Sequence, residues 1–480
     1  MAPVILWFRR NLRLRDNAAL CAAAESGAPV IPVYILDTLD TGGAGRWWLN
    51  HSLAALDKDL HELGSALILR SGQPQEELQR LVEESGATAI YLAQRYEPQA
   101  RQQEADLQDR LGTRIDIQTF ADAHLTCHDS LLTKGRTPFR IFTPYWRASS
   151  SGPDPALPLA APVAVNFASQ SLPSLALTDL DLLPDQPNWA KQFPHHWLPG
   201  EEGAMRRLDN IDAAVLDYAR QRDRPDLDTT SRLSPHLHFG EISPRQAWHA
   251  IRRSAMHLPS ARGADALTRQ LYWRDFSAYL LYHFPTLPEQ PLRPEFAAFP
   301  WTDDASRLQA WQQGKTGYPI VDAGMRQLWA TGWMHNRVRM IAASFLVKDL
   351  LVPWQDGARW FLDTLVDADL ANNSASWQWV AGCGTDAAPY FRIFNPTLQG
   401  KKFDPDGIYV RRWVAELHVM PTRHIHEPWL ADHQTQVTAG VAIGDNYPEP
   451  IVDHGEARQQ ALAAYRLTRT VSSSDPVLSA

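Results

Sequence analysis

Short apolar segments alternate with amphipathic segments through the first 130 residues, and this alternation restricts the fold more than any other feature of the sequence. Segments rich in β-branched and aromatic residues predict strands, and segments with apolar residues at helical spacing predict helices. The predicted strands are residues 4–8, 30–36, 66–69, 88–92 and 115–119. The predicted helices are residues 17–25, 46–63, 74–85 and 98–111. Buried strands separated by helices indicate a parallel, doubly wound α/β sheet.

A sheet of this class binds ligands at the carboxyl ends of its strands. The segments 37–48 and 94–98 follow two of the predicted strands, so they are candidate ligand contacts. The chain has neither a GxGxxG nor a Walker A motif, so no nucleotide site follows from a phosphate-binding motif.

The composition changes after this α/β domain, which we assign to residues 1–130. Residues 148–200 are rich in proline, alanine, serine and leucine with little periodicity, and we expect an interdomain linker over 131–200. Helical patterns dominate from residue 201, which predicts one all-helical domain over 201–468. The serine-rich residues 469–480 predict a flexible tail.

Composition and charge exclude several classes of protein. The three cysteines, Cys21, Cys127 and Cys383, lie far apart and form no disulfide framework or metal motif, which predicts a reducing cytoplasm and no metal. We expect neither a signal peptide nor a membrane span, because arginines follow the first strand at once and no run of 18 apolar residues occurs. The net charge of −8 argues against indiscriminate binding of nucleic acid. It leaves room for a local basic patch, because charges are screened within about 8–10 Å.

Residues 367–396 combine acids, paired asparagines, tryptophans and a glycine-rich turn. On a helix, Trp377 and Trp379 would lie about 200° apart and face different surroundings. Tryptophans at such positions usually belong to a core. The acids and asparagines at 367, 369, 372 and 373 favour a site instead, because buried polar groups need partners and a large polar ligand would supply them.

Together with residues 4–20, 229–246, 314–329 and 331–351, this stretch resembles the photolyase/cryptochrome family, with bacterial cyclobutane pyrimidine dimer photolyases as the nearest group. The resemblance implies an α/β antenna domain, a helical FAD-binding domain and light-driven repair of pyrimidine dimers in DNA. We therefore expect a monomeric enzyme that binds damaged DNA and no membrane. The alternative is a cryptochrome-type photoreceptor without repair activity.

The resemblance also implies roles for individual residues. The FAD contacts would be Tyr218, Thr230, Ser231, Leu233, Ser234, Asn336, Arg339, Asp367, Asp369 and Asn373, with Asn373 beside flavin N5. Without the resemblance, residues 230–234 are better explained as an ordinary helix cap. The electron-transfer chain would be Trp377, Trp354 and Trp301. The contacts to lesion and DNA would be Trp273, Arg274, Gln270, Asn336, Arg337, Met340, Trp379 and Arg392.

Three positions refine this interpretation. Photolyases for the (6-4) photoproduct resemble this chain but carry histidines at the equivalents of Asn336 and Met340, so cyclobutane dimers are favoured here. We expect the neighbouring His335 to have a structural role. Gln270 stands where dimer photolyases normally carry glutamate; it keeps a hydrogen-bonding group but loses the charge, and it bears on the catalytic efficiency.

An antenna chromophore is a further implication of the resemblance. Arg46, Trp47, Trp48 and Glu97 are candidate contacts, and the resemblance favours methenyltetrahydrofolate over a deazaflavin. Alternatively, the tryptophan pair is buried in a helix core and Glu97 is an ordinary solvated side chain.

Overall fold

This computed structural model of the protein describes residues 1–37, 42–386 and 391–474. Its strands are Val4–Phe8 (β1), Val30–Leu36 (β2), Ile68–Ser71 (β3), Ala89–Ala93 (β4) and Asp116–Phe120 (β5). Its α-helices are Ala18–Glu25 (α1), Gly43–Glu62 (α2), Pro74–Ser85 (α3), Pro98–Leu111 (α4), Phe142–Ser149 (α5), Glu201–Asp209 (α6), Ile211–Gln221 (α7), Ser234–Phe239 (α8), Pro244–Ala255 (α9), Arg262–His283 (α10), Ala305–Gln312 (α11), Pro319–Thr331 (α12), Asn336–Ser344 (α13), Trp354–Thr364 (α14), Leu370–Ala381 (α15), Pro396–Phe403 (α16), Ile408–Trp413 (α17), His433–Thr438 (α18) and His454–Ser474 (α19).

The predicted doubly wound sheet is confirmed. The strands pair in parallel in the order β3-β2-β1-β4-β5, so the winding direction reverses between β1 and β4. Every residue of β1 and of β4 is buried, which explains why these strands consist of apolar residues without alternation. Leucines of α3 and α4 and isoleucines of the strands form one core cluster, so the helices cover the sheet with apolar faces.

Prolines begin helices α3 and α4, and a glycine ends α3. Pro74 and Pro98 occupy the first turn of α3 and α4, where a missing N–H costs no helical hydrogen bond. Gly86 ends α3 with φ +67°, a left-handed conformation that glycine adopts without strain. The predicted bounds of both helices therefore agree with the structure.

The chain divides into two compact units. The first contains Met1–Ala219, Thr230–Pro285 and Val366–Asp369, and the second contains Arg220–Thr229, Thr286–Leu365 and Leu370–Ala480. The sheet and helices α8 to α10 belong to the first unit, and helices α11 to α19 belong to the second. The predicted linker 131–200 contains α5 and short 3₁₀ turns.

The described residues of the second unit form helices and loops and contain none of the five strands. A π-helix, Phe345–Asp349, follows α13, and every residue of it is buried. Helix α19 extends to Ser474, so the predicted tail 469–480 begins inside a helix, and residues 475–480 lie outside the described residues. Among the described helices, none has the length and apolar character needed to cross a membrane.

Candidate functional site

In the first unit, the structure brings together two segments that the sequence predicts to contact FAD. The hydroxyl of Ser234 donates a hydrogen bond to a carboxylate oxygen of Asp367 at 2.7 Å, although the two residues are 133 positions apart. Asp369 lies 3.6 Å from Nδ1 of the buried His238. Burial, together with the charge of Arg10, lowers the pKa of His238 to about 4, so the imidazole is neutral at pH 7.

These segments have the donors and acceptors that FAD requires. Residues 230–234 provide three hydroxyl groups, which suit phosphate and ribose oxygens, and Asp367 and Asp369 provide carboxylates for the N–H groups of a flavin ring. The predicted contacts Tyr218 and Leu233 are buried in the core cluster beneath these segments. The chemistry of this set therefore fits FAD.

The predicted FAD contacts of the second unit lie on α13 and α15. Arg339 donates from Nε to the backbone oxygen of Met334 at 2.7 Å. Asn373 donates its amide N–H to the backbone oxygen of Ala358 on α14 at 3.0 Å. With its nitrogen held in this way, the amide orientation of Asn373 is set by the neighbouring helix.

Trp379 and Arg392, both predicted to contact the lesion, line one cavity of the second unit. The cavity has a volume of about 470 Å³ including its mouth and is also lined by Lys348, Arg293 and Phe391. Trp379 is half-buried and donates its indole N–H to the backbone oxygen of Asp386 at 3.0 Å. An aromatic face beside an exposed arginine suits an unstacked base and its phosphate.

Asn336 and Met340 lie one turn apart on α13. The amide nitrogen of Asn336 is 3.9 Å from the sulfur of Met340, so these two predicted contacts to the lesion adjoin each other. Arg337, between them in the chain, forms an ion pair with Asp223 at 3.0 Å and covers the ring of Phe403 at 4.4 Å. Its side chain is therefore already held by the protein.

Helix α10 carries the remaining predicted lesion contacts, Gln270, Trp273 and Arg274. Trp273 stacks on the buried Phe142 with centroids 3.6 Å apart and planes 8° from parallel, which fixes its indole plane. Arg274 donates to the backbone oxygens of Ala123 at 2.7 Å and Leu237 at 3.2 Å. Gln270 donates its amide N–H to the oxygen of Ala266, one turn earlier, at 3.1 Å.

The predicted electron-transfer tryptophans occupy adjoining segments of the second unit. Trp377 packs so closely on α14 that a Cβ at Gly357 would lie 2.1 Å from its ring. Trp354 is the first residue of α14, and Trp301 precedes Thr302, whose amide donates to Leu351 at 2.8 Å. Trp377 and Trp354 are buried, and Trp301 is half-buried. The increase in exposure from Trp377 and Trp354 to Trp301 is compatible with an electron-transfer path toward the surface.

Several structural contacts were not predicted from the sequence. His238 beside Asp369 and Lys348 beside Trp379 were missed, because their roles depend on distant segments. Trp311 contacts Trp377 with ring centroids 6.2 Å apart and was also missed. His335 has the structural role that we expected, since its ring nitrogen accepts the amide of Arg337 and caps α13.

Within the first unit, the predicted antenna contacts are buried or bonded to other residues of the protein. Trp48 is 0% exposed and donates its indole N–H to Glu241 at 2.8 Å, and Trp47 is also buried, which agrees with the structural alternative for this pair. Arg46 donates to the backbone oxygen of Asp181, and Glu97 pairs with Arg95 at 2.9 Å. Part of the candidate segment 37–48 lies outside the described residues, as do residues 387–390 of the stretch 367–396.

A second cavity lies at the carboxyl ends of β1 and β2. It has a volume of about 520 Å³ including its mouth, and Trp7, Arg9 and Asp37 line it. Each of these residues has a buried polar atom with no hydrogen-bond partner among the described residues: Trp7 Nε1, Arg9 Nη2 and Asp37 Oδ1. Such atoms usually find a partner in a ligand or in water.

Comparison with known proteins agrees with this architecture. The family profile for DNA photolyase matches residues 4–163, and the profile for the FAD binding domain of DNA photolyase matches residues 267–467. The chain is 48% identical to a deoxyribodipyrimidine photo-lyase of Agrobacterium fabrum over 97% of its length and 98% of that protein. It is 38% identical to cryptochrome-1 of Arabidopsis thaliana over 95% of its length and 69% of that protein. The crystal structure of a bacterial class III photolyase from Agrobacterium tumefaciens superimposes with a TM-score of 0.95 and 48% identity, covering 98% of each chain.

Proposed function

The chain belongs to the photolyase/cryptochrome family, and from that membership we propose that it repairs cyclobutane pyrimidine dimers in DNA with light. The cavity lined by both Trp379 and Arg392 is the observation that carries this proposal, because it combines a stacking face with a cation for phosphate. Reduced FAD, when bound and excited by light, would supply the electron for opening the cyclobutane ring, with no net change of oxidation state.

The residues of the chain bind and orient the reactants. Trp379 provides an aromatic face for the extruded dinucleotide, and Arg392 neutralises a neighbouring phosphate. Trp273, held by its stack on Phe142, provides a second aromatic face that costs little conformational entropy to order. Gln270, which uses one of its two amide N–H groups within α10, presents its carbonyl oxygen as an acceptor.

Other residues would hold the cofactor. Asp367 and Asp369 would accept N–H groups of the flavin ring, and the hydroxyls of residues 230–234 would bind its polar chain. In the second unit, Asn336, Arg339 and Asn373 are the proposed FAD contacts. Trp377, Trp354 and Trp301 would carry an electron inward from the surface when the cofactor has been oxidised.

A cryptochrome-type photoreceptor is the alternative. The identity to Arabidopsis cryptochrome-1 and the glutamine at position 270 favour it. In favour of repair, the higher identity is to a photo-lyase that is matched over nearly its full length, and the chain keeps both predicted stacking tryptophans.

The decisive experiment measures the loss of dimers from an irradiated oligonucleotide with chemically reduced protein, in light and in darkness. Repair requires loss in light alone. Trp379→Ala should abolish most of that loss, because stacking stabilises each base by roughly 1–3 kcal/mol. FAD bound in stoichiometric amount without any light-dependent loss of dimers would favour the photoreceptor.

An antenna chromophore is proposed for the cavity at the carboxyl ends of β1 and β2. The support is its position where the winding of the sheet reverses, together with the unpartnered polar atoms of Trp7, Arg9 and Asp37. Methenyltetrahydrofolate remains our preferred chromophore, with Arg46 and Glu97 as further predicted contacts. Reconstitution with folate should give a near-UV band beyond the flavin spectrum, and Asp37→Leu should remove it. A visible deazaflavin band, or no uptake of folate, would contradict the assignment.

A further inference from the structure

The C-terminal end of α15 is held by donors from outside the helix. The backbone oxygens of Ala381, Gly382 and Cys383 accept, in turn, from Lys348 Nζ at 2.7 Å, Arg293 Nη1 at 3.2 Å and the Arg293 backbone N–H at 2.9 Å. The last carbonyls of a helix have no partner within it, so outside donors determine how such an end is anchored.

Lys348 is an unusual residue for such a role. It is 1% exposed, and among the described residues its amine meets one backbone oxygen and the face of Phe391, 2.9 Å from the ring centroid, with no carboxylate in ion-pair range. Burial lowers the pKa of this amine well below its usual range. Burying a lysine without an acidic partner destabilises the folded state. Its presence here therefore indicates that the amine has a role other than surface charge.

The π-helix explains how the amine reaches this point. Lys348 lies in the π-helical turn Phe345–Asp349, whose wider hydrogen-bond spacing changes the direction of the side chains relative to α13. Single π-helical turns often occur at functional sites. Here the turn aims the amine at the end of α15.

Trp379 lies close to the anchored end of α15. Trp379 is two residues before Ala381, and its indole N–H donates to Asp386, so the loop after α15 is tied both to the helix end and to the tryptophan ring. Gly382, with φ +88°, adjoins this amine, since a Cβ there would be in ordinary van der Waals contact with Nζ of Lys348 at 3.6 Å. Lys348 and Trp379 line the same cavity.

We propose that Lys348 is a positioning residue for substrate recognition, which holds the end of α15 so that Trp379 presents its ring to an extruded base. This inference rests on the proposed repair function and adds to it a residue that determines selectivity for damaged DNA. Lys348 acts through the backbone of Ala381 and the following loop, without contact to the lesion.

The test is Lys348→Met, which keeps the length and flexibility of the side chain and removes the amine. Affinities for a dimer-containing oligonucleotide and for the same undamaged oligonucleotide are measured with the full chain carrying FAD. We expect the ratio of the two affinities to fall about tenfold, since part of one base stack is lost. FAD content and the repair rate at saturating substrate should stay close to wild type, and the melting temperature should not fall, because the variant no longer buries an amine without an acidic partner.

Lys402→Met is the matched control. Lys402 is exposed, belongs to the same unit and also lies over an aromatic ring, that of Phe403 at 5.1 Å. Lys402→Met should leave the ratio of the two affinities unchanged, because the exposed Lys402 is not one of the donors to the end of α15.

Two results would overturn the inference. One is an unchanged affinity ratio in a folded Lys348→Met protein, whether or not both affinities fall together. If Lys348→Met does not fold, Arg293→Met takes its place, because Arg293 is partly exposed and donates to the next carbonyl; an unchanged ratio there is the second. Wild-type protein that binds FAD but does not prefer dimer DNA would instead refute the proposed function, and the inference with it.

Discussion

At the scale of single residues, Gln270 is the main departure from the pattern of dimer photolyases. One of its two amide N–H groups is bound within α10, and its carbonyl oxygen is available to accept from the imide of a lesion base. A hydrogen bond with a charged partner contributes roughly 1.5–3 kcal/mol and a neutral one about 0.5–1.5. We therefore expect Gln270→Glu to change repair efficiency by less than about tenfold, which corresponds to 1.4 kcal/mol.

The measurement for Gln270 is light-dependent repair of one dimer-containing oligonucleotide by wild type and by Gln270→Glu. An inactive wild type rescued by glutamate would identify the chain as a relative that has lost repair. Gln309→Glu, on α11 of the other unit, is the control for the added charge.

The second prediction at this scale concerns Trp377. Trp377→Phe should abolish light-driven reduction of oxidised flavin by external donors, because phenylalanine is much harder to oxidise than indole. Repair by chemically reduced protein should persist. Trp248→Phe, at a buried tryptophan of the first unit outside the predicted chain, should leave photoreduction intact. Undiminished photoreduction in Trp377→Phe would remove Trp377 from the chain.

Only those site residues that belong to a motif of the family were predictable from the sequence. Trp379 and Arg392 follow from the resemblance, and the structure places both at one cavity. Lys348 was not predictable, since the apolar residues around it indicate only a buried helix, and the amine acquires its role from Ala381, 33 residues later. A contact between distant segments leaves no local pattern in the sequence.

At the scale of secondary-structure elements, the α/β region was predicted well because its signals are local. Strands β1 and β2 have the predicted bounds, whereas β3 begins two residues later than predicted and extends to Ser71. The reason is its pairing in register with β2, Leu36 opposite Ser71, which apolar content does not reveal. The π-helix after α13 was missed for the same reason, since its geometry depends on packing around it.

Helix α10 carries a buried acid that should make stability depend on pH. Burial raises the pKa of Asp275 to about 7, although its carboxylate accepts from the amides of Leu125 and Thr126 and from the Thr126 hydroxyl. The unfolded value is near 3.9, so between about pH 4 and 7 the folded state binds the extra proton. The contribution of Asp275 to the free energy of unfolding therefore falls as pH rises through this window.

Asp275→Asn tests this prediction, because the carboxamide keeps an oxygen for the three donors and cannot titrate. Relative to wild type, the free energy of unfolding of the variant should rise by up to about 4 kcal/mol from pH 4 to pH 7. Denaturant unfolding across that range measures it. Asp265→Asn, at an exposed acid on the same helix, should show no such rise. Parallel pH profiles for wild type and Asp275→Asn would contradict the assignment.

At the scale of the whole molecule, binding to DNA must overcome a net charge of −8. The predicted phosphate contacts are the three arginines 274, 337 and 392. Arg337 is already paired with Asp223, and Arg274 is bound to backbone oxygens, whereas Arg392 is exposed. Binding to DNA should therefore release few counterions. Each phosphate contact contributes about −0.9 to the slope of log affinity against log salt concentration, so the slope should be no steeper than about −3.

Arg392→Gln should make that slope shallower by about 1 for damaged and undamaged DNA alike, because a phosphate contact carries no sequence or lesion information. Titrations of both oligonucleotides between low and physiological salt measure the slopes. Arg359→Gln, at an exposed arginine of the second unit, should leave them unchanged. A slope much steeper than −3 that Arg392→Gln does not alter would mean that an extended basic surface, and not a local patch, governs binding. In either case, the preference for dimers would have to come from the residues that contact the lesion bases, since the arginines contribute equally to every DNA sequence.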